Sequence, residues 1–172
     1  KAVFTEKAFE NSSFVPGEII RQMTSRDYSG DLKPLFDEKL VVPVLCRNGL
    51  MQDFSHSFLV LASRSDRAFD KLYDRRLLAT VYTTDRANAY NVQTRFINTA
   101  NRVVAQKRRL QPGSVPVSMH DVLLHVPKDE IYVSGMNLEA EYRRCVVLKD
   151  FEALSRLLAL QLKFLLKEAL GG

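Results

Sequence analysis

The stretch FEALSRLLALQLKFLLKEAL, residues 151–170, limits what this chain can fold into more than any other. Read as a helix, it carries a broad apolar stripe of Leu154, Leu158, Leu162, Leu165 and Ala169, with Leu157, Leu160 and Phe164 as a second stripe beside it. Glu152, Arg156, Lys163 and Lys167 leave only a narrow polar strip. A helix that is apolar nearly all round must be buried on more than one side. One side is expected to pack on the helix's own sheet and the other on a sister helix or another subunit. Leu157, Leu160 and Phe164 are therefore the expected oligomer contacts. The most apolar part, 157–170, is interrupted by Lys163 and Lys167 and is too short and too charged to span a bilayer, so no membrane partner is expected. Gly171-Gly172 reads as the helix stop.

Upstream of that helix, glycine and proline mark turns at Pro16-Gly17, Ser29-Gly30, Asn48-Gly49, Pro112-Gly113 and Ser134-Gly135. Asn-Gly between apolar runs is the strongest short hairpin signal, because a type I′ turn needs positive φ at both central residues. It predicts a hairpin joining LVVPVLCR to LMQDFSHSFLVLASR, with Pro43 placing its strand at an edge or bulge. Ser65 then caps a helix carrying Phe69, Leu72, Tyr73 and Leu77, with Arg67, Lys71, Asp74 and Arg75 outward. The C-terminal part, from DEIYVSGMNLEAEYRRCVVLKD into the last helix, repeats this order: strand, glycine turn, strand, cap at Asp150, helix. Glycine and cap are 16 positions apart in the first half and 15 in the second. The expected fold is α+β: two antiparallel β-sheets, each followed by a helix, in one pseudo-duplicated domain over 1–172 with halves at about 1–80 and 81–172. In the middle of the chain, residues 86–113 admit two readings. Ala89, Val92, Phe96, Ala100, Val103 and Leu110 suit a helix; the asparagines and threonines favour turns. The repeat favours strands, YNVQTRFI and RVVAQKRRL, around a turn at 98–101.

Constellations for covalent chemistry are nearly absent. His120 and His125 are five apart, a spacing that suits neither one helix face nor one strand face, and His56 stands alone. No phosphate-binding glycine motif and no nucleophile elbow occurs. Asp129, Glu130, Glu139 and Glu141 read as hairpin solubility residues, and Cys46 and Cys145 as reduced core thiols. The expectation is a protein that is not an enzyme, with no metal and no cofactor.

The charge balance points elsewhere. Lys and Arg number 25 against 20 Asp and Glu, a formal charge of +5. Bases interleave with aromatics and amides through the middle of the chain, where Tyr90, Arg95, Arg102, Lys107, Arg108 and Arg109 are candidate nucleic-acid contacts and Tyr82, like Tyr90, suits either a core or a stacking role; Lys1, Lys7, Arg21, Arg26 and Arg47 are candidates in the first half. Cations neutralise phosphates and aromatics stack on bases, so a nucleic acid held by its backbone is the expected partner.

Two strand-rich halves, each closed by a helix, resemble the Whirly architecture of single-stranded nucleic-acid-binding proteins. YRRCVVLKDFEALSRLLALQLKFLL is similar to that family's last strand running through a Lys-x-Phe-type cap into a helix. The plant signature KGKAAL is missing, and KAVFTEKAF at 1–9 is its nearest analogue. The remaining resemblance is to the kinetoplastid mitochondrial guide-RNA-binding proteins of the same fold. It implies a protomer assembled with a homologous subunit into a tetramer through its helices. It further implies a basic sheet surface that binds RNA and promotes annealing of guide RNA to messenger RNA during mitochondrial RNA editing. The alternative is a non-enzymatic interaction subunit that docks a partner on its apolar C-terminal helix.

Overall fold

Alternation of side chains decides the centre of the molecule. In VQTRFIN and VVAQKRR, Val92, Phe96, Val103 and Ala105 are buried at even spacing, the pattern of strands with a packed face, and Ile97 is buried on the other face. These segments form β3 (Val92–Asn98) and β4 (Val103–Arg109), joined by a turn at 99–102 as the strand reading expects. The structure is a computed structural model describing residues 1–23, 38–55, 57–111, 128–135 and 138–170. Together with β1 (Ala2–Phe4), β2 (Leu77–Tyr82) and β5 (Asp129–Ile131), β3 and β4 make one five-stranded antiparallel sheet in the order β1-β2-β3-β4-β5. Between β1 and β2 come helices α1 (Glu6–Glu10), α2 (Pro16–Ile20), α3 (Glu38–Arg47) and α4 (Asp66–Leu72). After β5 come α5 (Leu138–Val147) and α6 (Phe151–Leu170). The fold is α+β.

The expected hairpins around the two glycine turns are not formed. LVVPVLCR lies in α3, with Pro43 inside the helix. The reason is packing against α2: a side chain at Gly17 would stand 2.9 Å from Pro43 Cα and 3.3 Å from Cys46 Sγ, so glycine lets the two helices close. Asn48-Gly49 is the end of that helix. Gly49 has φ 69°, its N–H donates to Cys46 O at 3.2 Å, and Leu50 N–H donates to Leu45 O at 2.9 Å, which is a Schellman motif. YRRCVV is likewise helical, in α5, where Arg143 and Arg144 pair with Glu139 and Glu141 one turn back at 3.0 and 2.9 Å. The second sheet of the pseudo-duplicated arrangement is therefore not found among the described residues. Both predicted caps hold: Ser65 Oγ accepts from Ala68 N–H at 3.3 Å and Asp150 Oδ1 from Ala153 N–H at 3.0 Å. The turns expected at Ser29-Gly30 and Pro112-Gly113, and the stop at 171–172, lie outside the described residues.

One face of the sheet carries the core. Ala79, Phe96 and Ala105 are cross-strand partners on it, and Ala8, Phe14, Leu78 and Val103 pack with them. Phe14, Phe96 and Tyr132 form an aromatic triad with ring centroids 5.1 to 5.5 Å apart. Tyr132 Oη accepts from Val15 N–H at 3.3 Å, which ties the chain between α1 and α2 to β5. Full burial of a side chain such as Leu78 or Val103 contributes about 1.5–3 kcal/mol. The last helix departs from expectation in its neighbour. It packs on α5, not on a sheet: Leu154, Leu157 and Gln161 are half-buried on one stripe, and Tyr142 Oη hydrogen-bonds Gln161 Oε1.

Candidate nucleic-acid interface

The β3–β4 hairpin builds the site. Its pairing is continuous from Val92↔Arg109 to Asn98↔Val103, and Thr99 closes the turn by donating from N–H and Oγ1 to Arg102 O at 2.8 and 2.6 Å. Because side chains alternate across a pleated sheet, the run Lys107-Arg108-Arg109 cannot form a single patch. Lys107 shares the core face with Ala105 and pairs there with Glu130. Arg109 points to the same side, half-buried. Arg108 alone of the three lies on the outer face, where it is exposed.

Cross-strand register assembles the rest of that outer face. One row runs Tyr82, Gln93, Arg108; the next runs Thr80, which is buried, then Arg95, Gln106 and Asp129. Arg95 and Arg108 are diagonal neighbours on adjacent strands, about 7–8 Å apart by sheet geometry. Gln93 Nε2 donates to Tyr82 Oη at 3.0 Å, which orients the phenol and leaves its own proton to donate outward. Asp74 sits 3.8 Å from Arg95, but Arg76 holds it more closely, through Nε at 3.0 Å and Nη2 at 3.1 Å. Those hydrogen bonds hold the Asp74 carboxyl below the usual carboxylate range. Arg108 makes no ion pair among the described residues. The face thus offers two guanidinium groups, two amides and a tyrosine on one surface.

The other expected contacts scatter. Arg102 is exposed at the far end of the hairpin, Tyr90 is half-buried in a 3₁₀ turn, and Lys1 is exposed beside β1. Lys7 donates from Nζ to Arg75 O at 3.1 Å. Arg47 ends α3. Arg21 is only 4% exposed and lies 2.5 Å from Glu18 Oε2, so it belongs to the packing of α2. Arg26 lies outside the described residues. Gln93 and Gln106 are not among the expected contacts; hairpin register with period-two alternation is the signal that would place them, with Tyr82, beside Arg95 and Arg108.

Among the described residues no group of three or more His, Cys, Asp or Glu could hold a metal, and all three histidines lie outside them. Cys46 and Cys145 are free thiols, and burial pushes Cys46 up to about 11, away from thiolate chemistry at neutral pH. No described helix is long and apolar enough to cross a membrane. Comparison of the chain with protein-family models, with curated proteins and with solved structures finds no match.

Proposed function

We propose that this chain is a single-stranded RNA-binding protein whose outer sheet face takes the phosphate backbone on Arg95 and Arg108 and stacks a base on Tyr82. The observation that carries the reading is the convergence of these three side chains with Gln93 and Gln106 on one face of the β2–β3–β4 sheet. Guanidinium groups contribute a salt-dependent, sequence-tolerant attraction, and an aromatic ring accepts any base. Neutralising two polyanions also lets complementary strands approach, so the protein acts as an annealing factor and catalyses no covalent step. The guide-RNA and messenger-RNA setting, the mitochondrial location and the tetramer with a homologous subunit rest on the Whirly resemblance. The pseudo-duplicated form of that fold needs a second sheet, which the described residues do not contain.

Titration of labelled, unstructured single-stranded RNA at two salt concentrations tests the reading. Arg95→Ala with Arg108→Ala should lower the slope of log affinity against log salt by about 0.7 for each phosphate that is no longer neutralised. Lys107→Ala with Arg109→Ala, on the other face, should leave it nearly unchanged. Tyr82→Leu should weaken binding about tenfold, within the 1–3 kcal/mol of a stacked base, and similarly for unrelated sequences. Equal effects from the two cationic pairs would refute the assignment to this face. The exposed apolar surface of α6 favours a second reading, an interaction subunit without RNA. Absence of any salt-dependent RNA binding would select it.

A further inference from the structure

We infer that residues 57–62 are a donor strand that adds to the free edge of β5 in a second copy of this chain, joining protomers head to tail. The segment is SFLVLA. Phe58, Leu59 and Val60 are 76, 70 and 83% exposed, and Leu61 is exposed as well. Among the described residues none of the segment's backbone N–H or C=O groups is hydrogen-bonded. Four consecutive apolar residues match a strand buried on both faces, and among the described residues they have no such place.

The acceptor is on the same molecule. Tyr132 N–H donates to Val103 O and Lys107 N–H to Lys128 O, so the even-numbered residues of β5 face β4. By alternation the backbone groups of Asp129, Ile131 and Val133 point away from the sheet, and no hydrogen bond reaches them among the described residues. An unpaired edge of this kind is a template for another strand. Its side chains suit an incomer apolar on both faces: Ile131 and Val133, the latter 82% exposed, stand on one side and Tyr132 on the other. In antiparallel register, Val60 opposite Ile131 sets Phe58 opposite Val133. The same register brings Arg64 diagonal to the exposed Asp129, which a parallel strand would not do.

Position decides that the acceptor belongs to another copy. Residues 61–63 lie beside Lys7, Phe69 and Tyr73, on the side of the sheet where α1 follows β1. β5 is the opposite edge, four strand spacings or about 19 Å away. Donor and acceptor at opposite edges make a heterologous contact, which propagates into a ring or a filament.

Mixing Val60→Cys protein with Ile131→Cys protein under mild oxidation tests the contact. A covalent heterodimer should form that neither variant gives alone, and the double variant should give a ladder of higher species. Self-linking of Val60→Cys alone, linking of Val60→Cys to Val3→Cys on β1, or a link within one chain of the double variant would each overturn the inference. So would no link at all. Hydrogen exchange on the unmodified protein is independent of the substitutions: amides 57–62 should be open when dilute and protected when concentrated, and exchange that is open throughout would overturn the inference. Protection that persists with Leu160→Glu and Phe164→Glu separates this contact from any made by α6.

Discussion

Glu18 and Arg21 are a buried ion pair with little hydrogen bonding to support it. Their oxygen and nitrogen meet at 2.5 Å, yet among the described residues Glu18 Oε2 and Arg21 Nε and Nη2 lack a partner of hydrogen-bonding geometry. Proximity without alignment offsets little of the cost of desolvating two charges. Burial raises the Glu18 carboxyl above its ordinary value of 4.5, while Arg21 and then Arg47 pull it down and Glu141 pushes it up. The sign of the pH effect follows. A carboxyl whose folded value is raised keeps its proton longer in the folded state than in the unfolded one, so stability falls as pH climbs from 4.5 through the raised value. Arg21→Met removes the largest opposing influence, which raises Glu18 further and widens that window. The variant should lose about 3–5 kcal/mol at pH 8, where an unpaired carboxylate is buried, and less at pH 5, where a larger share of the carboxyl keeps its proton. Urea unfolding at the two values measures this, and an equal loss at both would remove Glu18 from the explanation.

At the scale of elements, two helices end alike. Behind α5, Lys149 adopts φ 57°, its N–H donates to Val146 O at 3.1 Å, and Asp150 N–H donates to Cys145 O at 2.8 Å. This is the Schellman pattern that closes α3 at Gly49, with lysine in the position glycine fills there. A side chain in that left-handed region is strained. Lys149→Gly should therefore stabilise the protein by about 0.5–1 kcal/mol, the gain being trimmed by the greater freedom of glycine in the unfolded chain. A thermal midpoint that falls would show that the Lys149 side chain contributes more than its backbone costs. The same motif explains what is and is not legible in the sequence. Asn-Gly announces positive φ, and both a hairpin turn and a helix end use it, so the pattern over residues 41–63 suits strands as well as a helix end. The β-branched Val41 and Val42 with Pro43 favour strands, and the contact at Gly17 that overrides them is long-range. Alternation on β3 and β4 and the caps at Ser65 and Asp150 are legible because each is a local rule. The basic run looks like one unit in the sequence, but the pleat divides it, and strand register is a tertiary fact.

At the scale of the whole molecule, α6 remains incompletely buried. Its inner stripe rests on α5, while Phe151, Leu160, Leu162, Phe164, Leu165 and Leu166 are each more than half exposed. An exposed apolar patch of this kind is the feature on which the proposed assembly through this helix rests. Leu157, one of the three expected contacts, is half-buried on the stripe facing α5, so substituting it would damage the protomer itself. Leu160 and Phe164 are exposed and give the cleaner test. Leu160→Glu with Phe164→Glu should convert the assembled protein to a smaller species in light scattering at micromolar concentration. The far-ultraviolet spectrum should keep its helical signal, because the stripe against α5 is untouched. RNA affinity per protomer should hold, since Arg95 and Arg108 lie on β3 and β4. On the proposed function annealing should fall, because two strands held on one assembly meet at a high effective concentration that the smaller species loses. Unmodified protein that is already monomeric at that concentration, with no partner in its native extract, would count against α6 as an interface. Annealing unchanged in a dissociated variant would detach assembly from function.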